Sequence, residues 1–489
     1  MIQALLSSGG DERSTADPMS GRNRYGCLMR PEPEVATWSS CTASSPSARA
    51  FEAARVSHDR ASAQGENLRA ELLDLVGLTA DEIDIVFMPS GTDAEYIPLA
   101  FLIGEDSTRI ANILVAEGEL GANTSLAAGA RHCASTSPSS GESIVKGAAI
   151  AGFPQGSVTL HPVRIRDEGG ALRDDDALAT EITMLVSAAL GRGERVLLHV
   201  VESSKTGVQV PSVELVESLV AASSDRVRVV VDAAQGRLGD RELRDYLARG
   251  FMVIFSASKF YGGPCFSGAV LFPRTTWGAP RGPWPAGLQH YLSRCAVPPR
   301  WEMDAWIETP TNAGLLLRWA AGLAEMRAYR QVRPLVRRSI LVALGAAIAD
   351  AASRFPSIEL LDAPWRGPGH PDDDGLSVMQ TIFTFKLRSG GQHLGLADVR
   401  RLRERMAEPC VFDEPAERAL GARRFLLGQA VELSPSAAAL RIAISAPHVT
   451  EHARFAHDEA ARTRKLREVS DELNALFGKL DLLVRTSPS

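Results

Sequence analysis

Between residues 83 and 272 the chain repeats one pattern: a short apolar run, a turn of small or polar residues, and a stretch with helical spacing. The apolar runs are Ile83–Met88, Ile113–Val115, Val196–Val201, Val227–Val231, Phe251–Phe255 and Gly268–Phe272. Helical spacing is found over Ala48–Val76, Ala94–Ile103, Asn123–Arg131 and Val213–Ala222, with Gly65 the weak point of the first. Strands alternating with helices predict an α/β fold with a doubly wound, mostly parallel sheet. The runs show little apolar–polar alternation, which suits strands buried on both faces.

A chain of 489 residues is too long for one compact core, so two lobes are expected. Residues 1–22 are polar and read as a mobile segment, and 23–60 as an N-terminal arm and helix. Residues 61–312 form the large domain of alternating elements, and 313–489 a smaller α+β C-terminal domain. Within the latter, Ala313–Arg330 and Pro334–Ala352 read as long helices, Pro334 suiting a first turn. Thr381–Phe385 and Leu440–Ile444 read as strands, and Pro364–Asp374 as a surface loop.

The net charge of −6 and pI near 6.0 give no reason to expect nucleic acid or an anionic membrane as partner. No apolar run approaches the roughly 18 residues that span a bilayer. The start, Met1–Leu6, lacks a basic flank, so no signal peptide and a cytoplasmic location are expected. The six cysteines have no paired spacing, which argues against a disulfide framework and a cysteine zinc site, and no metal is expected.

Three segments carry chemistry. Ser90-Gly91-Thr92-Asp93 follows one strand and precedes a helix, where small residues let N–H groups approach a phosphate. Alone, such a turn is usually only a turn. Asp232, in Val229–Gln235, is an acid at the end of a buried strand, where it costs desolvation energy unless it meets a cation such as a protonated pyridine nitrogen. A helix cap or magnesium ligand is the plainer alternative. Lys259, in Phe255–Pro264, follows another buried strand, and a lysine so hemmed can have a lowered pKa and form an imine. Ser256 and Ser258 can hydrogen-bond a phosphate beside it, although a lone lysine after a strand usually snorkels to the surface. The order and spacing weigh more than any part. Asp232 and Lys259 are one strand–helix–strand step apart, so both fall at the sheet edge where open α/β sheets bind ligands.

These segments resemble those of the fold-type I pyridoxal-phosphate enzymes, in particular the class V aminotransferase and cysteine desulfurase group, over roughly residues 50–450. The resemblance implies pyridoxal 5′-phosphate as cofactor, bound in the large domain as a Schiff base of Lys259. Ser90, Gly91, Thr92, Asp93, Ser256 and Ser258 would serve its phosphate, Asp232 the pyridine nitrogen, and Gln235 and Ser204 the ring hydroxyl. Glu308-Thr309-Pro310-Thr311-Asn312 resembles a loop that reaches the phosphate of a neighbouring subunit, implying a homodimer with shared sites through Thr309. Leu440–Ser445 resembles the strand whose arginine, here Arg441, holds the substrate carboxylate. The sequence departs from the group in three places. Ser258 replaces a histidine, and Glu119–Asn123 offers no ring to stack on the pyridine. Phe425–Val431 lacks the cysteine that one branch carries there, so Cys410 reads as an ordinary thiol. His199, within an apolar strand, reads as a hydrogen-bonded core residue.

In this reading Lys259 and Asp232 are the catalytic pair, with the freed lysine moving the α-proton of an amino acid or related amine. An aminotransferase-like reaction is expected first, a carbon–sulfur or other β/γ-lyase second. A non-catalytic binding protein of the same fold is the third possibility.

Overall fold

The computed structural model describes residues 58–486 except 104–108, 224, 281–283, 363–375 and 377. The expected N-terminal segment, most of the arm and the 364–374 loop lie outside the described residues. The described chain opens with helix α1 (His58–Val76), followed by β1 (Ile83–Met88), α2 (Gly91–Ala94), α3 (Tyr96–Ile103), β2 (Ile110–Val115) and α4 (Thr124–Ala128). Then come β3 (Val158–Val163), α5 (Asp175–Gly191), β4 (Arg195–Val201), α6 (Val213–Ala222), β5 (Val227–Ala233), α7 (Asp240–Ala248), β6 (Met252–Ser256), β7 (Gly268–Pro273) and α8 (Arg274–Trp277).

These strands form one seven-stranded sheet in the order β1-β7-β6-β5-β4-β2-β3. Only β7 runs against the others; β2–β3, β2–β4, β4–β5 and β5–β6 pair in parallel. Positions in β1, β2, β6 and β7 are buried throughout, as the unbroken apolar runs require. The period of two sends neighbouring residues to opposite faces. Val229 and Val231 join a core with Leu72 of α1 and Ile182 of α5, whereas Val230 joins the core of Tyr96, Leu99 and Ala100 from α3. The doubly wound α/β architecture expected from the sequence is therefore present.

The C-terminal part holds α9 (Ala313–Gln331), α10 (Pro334–Ser353), β8 (Ile358–Leu360), β9 (Ile382–Ser389), β10 (Gln392–His393) and α11 (Leu396–Met406). It continues with α12 (Pro415–Gly421), β11 (Val431–Ser434), β12 (Ala437–Ala443), α13 (Ala446–Ala453) and α14 (Glu459–Thr486). Its strands pair as β10-β9-β12-β11, with β8 also on β9, and every pair is antiparallel. No described helix is long and apolar enough to cross a membrane, and no group of three or more potential metal ligands occurs among the described residues. Among the described residues, Cys133, Cys265, Cys295 and Cys410 form no disulfide.

Candidate active site

All strands of the large sheet except β7 point the same way, so their C-terminal ends open at one edge. The Ser90 turn leaves β1, Asp232 is the last residue but one of β5, and Ser256 ends β6. Register brings them together: Asp232 lies opposite Ile254, and Gly268 of β7 lies opposite both Ser256 and Met88. The approach needs glycine twice. A Cβ on Gly268 would collide with the Ser90 backbone, and one on Gly91 would come within 2.8 Å of the Ala234 Cβ. The loops of Asp232 and Lys259 are pinned to each other, Phe260 N donating to the Gln235 carbonyl at 3.1 Å.

Each expected residue has a definite place. The Ser90 hydroxyl accepts from Asp93 N at 3.1 Å and donates to Asp93 Oδ2 at 2.7 Å, while Cys133 Sγ donates to Oδ1 at 3.1 Å. Asp93 is thus buried beneath the turn it braces; burial pushes its pKa up against the pull of these bonds. Gly91 and Thr92 occupy the first positions of α2, whose N–H groups lie ahead of any carbonyl of the helix. Ser256 and Ser258 hydroxyls lie 2.7 Å apart, and Ser258 N donates to Ser256 Oγ at 3.1 Å. The Lys259 side chain is exposed at the sheet edge, and Gln235 is half-buried. Asp232 is only 8% exposed, and its Oδ1 accepts from Ala234 N at 2.9 Å. Burial pushes its carboxyl up to about 6, opposed by that one N–H.

Arg441 of β12 reaches this edge: its Nη1 donates to the Lys205 carbonyl at 2.9 Å, and Ala446 N, just beyond the strand, donates to the Phe260 carbonyl at 2.7 Å. Lys205, which directly follows Ser204, is not among the residues expected at the site from the sequence. Burial, followed by the positive charges of Arg441 and Lys259, lowers its pKa to about 8, with Glu119 opposing. The Ser204 hydroxyl donates to Glu119 Oε2 at 2.7 Å, and Glu119 also takes Thr206 and, through Oε1, Arg166 at 2.5 Å. This buried ion pair ties the Ser204 turn to the loop after β3. Gly121 lies against Thr92, where a Cβ would come within 2.6 Å of its hydroxyl.

Other expected residues lie apart. The Thr309 carbonyl accepts from Arg294 N at 3.0 Å, and among the described residues no hydrogen bond joins Thr309 to the strand-end cluster. Asn312, its neighbour, caps α9 by accepting from Leu315 N at 3.0 Å. The Cys410 thiol, between α11 and α12, donates to the Arg405 carbonyl at 3.5 Å. His199 is fully buried in β4 as expected, but among the described residues its ring nitrogens have no hydrogen-bond partner; Nδ1 lies 3.6 Å from Glu95 Oε2.

No protein-family model and no curated relative matches the sequence. Among solved structures the chain is similar to mouse CSAD in apo form: 14% identity, 99% of each chain covered, TM-score 0.50. It is also similar to Oryza sativa TDC with PLP and tryptamine: 14% identity over 84% of this chain and 76% of that one, TM-score 0.45. At such identities the likeness to mouse CSAD speaks for the fold.

Proposed function

We propose that this chain is a pyridoxal-phosphate-dependent enzyme acting on an amino acid or related amine, aminotransferase-like in its reaction, with Lys259 as the lysine that bears the cofactor. One observation carries the reading. Asp232 is a buried carboxylate, on the strand next to that of Lys259, whose one hydrogen bond among the described residues comes from Ala234 N. Its raised pKa is that of an acid without its cation, and a protonated pyridine nitrogen is such a cation. Gly91 and Gly268 let the Ser90 turn pack against Ala234 and β7, beside the Ser256 and Ser258 hydroxyls, and N–H and hydroxyl groups gathered at one sheet edge suit a phosphate.

Pyridoxal phosphate, when bound, supplies an electron sink that makes a proton on the substrate α-carbon removable. Ser90, Gly91, Thr92, Ser256 and Ser258 would hold its phosphate, with Asp93 bracing the turn. Asp232 would keep the ring nitrogen protonated, and Ser204 and Gln235 would lie toward the ring hydroxyl. Lys259 would bind the cofactor through Nζ, and the same Nζ would carry the α-proton. Arg441 would orient the substrate carboxylate, aided by the positive charge of Lys205.

Borohydride reduction of the protein with pyridoxal phosphate, then peptide mapping, should put the label on Lys259; a label on another lysine overturns the assignment. Arg441→Ala should lower kcat/KM for carboxylate substrates roughly 10²-fold, mainly through KM. Turnover should require a keto acid. Release of ammonia, keto acid or sulfide without one would make the chain a lyase.

A further inference from the structure

The strand-end site has a second layer that the proposed chemistry does not use. Glu95 lies between α2 and α3, just past the Ser90 turn, and is 1% exposed; His199 is 0% exposed. Among the described residues, neither the Glu95 carboxylate oxygens nor the His199 ring nitrogens has a hydrogen-bond partner, and the two side chains approach to 3.6 Å. Two buried ionisable groups facing each other without other partners are costly to keep unless they serve something nearby.

The sheet identifies what is nearby. In β5, Asp232 shares a face with Val230, which packs in the core of Tyr96 and Leu99; in β4, Leu197 belongs to the same core and shares its face with His199. Asp232 pairs in parallel with Val201, two residues beyond His199. Glu95, directly preceding Tyr96, closes that face, so Asp232, Glu95 and His199 occupy one dry layer. The other ionisable groups of the surrounding elements stand elsewhere. Asp84, Arg195 and Arg228 are at the opposite ends of β1, β4 and β5. Asp93 is engaged with Ser90 and Cys133. Glu202, just past β4, alternates to the other face.

We propose that Glu95 and His199 form a buried proton-holding pair behind Asp232, and that this pair sets how strongly Asp232 attracts a cation at the sheet edge. Glu95 is then a positioning residue. Two carboxylates in one low-dielectric layer do not both ionise readily, so the layer keeps one proton. That proton sits on Glu95, whose pKa is raised well above the usual range by burial first and by the Asp232 charge second, while burial drives His199 down to about 3 and keeps it neutral. Losing the Glu95 proton to solvent places a second negative charge behind Asp232. By reciprocity, a cation held at Asp232 makes that proton easier to lose.

The inference rests on the pyridoxal-phosphate reading for the identity of the cation, and its test separates the two. Infrared spectra of the protein without cofactor, at neutral pH, should contain a protonated-carboxyl band that Glu95→Gln removes and that Asp232→Asn and His199→Leu each shift. Absence of the band, or indifference to Asp232→Asn, overturns the pair. Pyridoxal-phosphate affinity, measured by equilibrium dialysis against pH, should be equal in wild type and Glu95→Gln at about pH 6. It should be about fivefold tighter in wild type at about pH 9, the scale of a modest coupling. A ratio constant across pH reduces Glu95 to a packing residue. If wild type binds no pyridoxal phosphate at any pH, the functional reading fails, while the infrared arm still decides the pair.

Discussion

A carboxylate buried at a strand end weakens the fold until a cation meets it, and Asp232 carries that penalty in its pKa of about 6. The sign follows from linkage. The unfolded chain ionises near the ordinary aspartate value of about 3.9, so between roughly pH 4 and 6 the unfolded state has lost a proton that the native state keeps. This group therefore lowers stability as pH rises through that window, and the loss persists at neutral pH. Asp232→Asn should stabilise the cofactor-free protein at about pH 8 by on the order of 2 kcal/mol, vanishing near about pH 4, while weakening pyridoxal-phosphate binding. Denaturant melts with and without cofactor check both signs; a variant less stable than wild type when cofactor-free would mean that Asp232 holds the strand ends together instead. Asp232 and Lys259 could be read from the sequence because the one directly follows a buried apolar run and the other stands four residues past one, where a charge is conspicuous. Glu95 and Lys205 could not. Glu95 stands two residues after a turn whose own polar groups draw the eye, and the surroundings of Lys205 come from Arg441, 236 positions away.

At the scale of elements, the strands readable from sequence were the ones buried on both faces, because only those leave an uninterrupted apolar run. The edge strand β3 is partly exposed, with His161 and Pro162 breaking its pattern, and it went unseen; so did α5, where acidic residues open the helix. Boundaries moved by a few residues where backbone pairing outlasts the apolar run, as in β9, which extends through Lys386, Leu387, Arg388 and Ser389. What sequence could not supply was the closeness of β7 to the Ser90 turn, which depends on Gly268 having no side chain. Gly268→Ala would press a methyl group into the Ser90 backbone, with no flexible side chain there to yield. It should cost at least about 2 kcal/mol of stability and lower pyridoxal-phosphate affinity by displacing the turn. Gly191→Ala is the control: nothing lies within 4 Å of its Cβ position at the end of α5, so it should be neutral or slightly stabilising. If both substitutions behave alike in a thermal melt, the Gly268 contact is dispensable.

For the whole molecule, three hydrogen bonds between the two parts fall at the strand-end cluster: Arg441 on the Lys205 carbonyl, Ala446 on the Phe260 carbonyl and Arg237 on the Ile444 carbonyl. The C-terminal part thus forms one wall of the site. Another wall is still needed, because the Lys259 side chain is exposed in the single chain, whereas amine chemistry at a cofactor is strengthened when water is kept out. A second copy of the chain, bringing Thr309 to the phosphate as the family resemblance implies, would supply it through a symmetric homodimer. The Thr309 segment is partly exposed, and its neighbour Asn312 already caps α9, so Thr309 has no capping duty of its own. Since a ligand that binds only the assembled state draws the equilibrium toward it, pyridoxal phosphate should tighten the dimer. Sedimentation at micromolar concentrations should give a dimer whose dissociation constant falls when cofactor is added. Thr309→Ala should weaken that linkage while leaving the cofactor-free association unchanged. A monomer that retains its cofactor through the run would rule out a site shared between two chains.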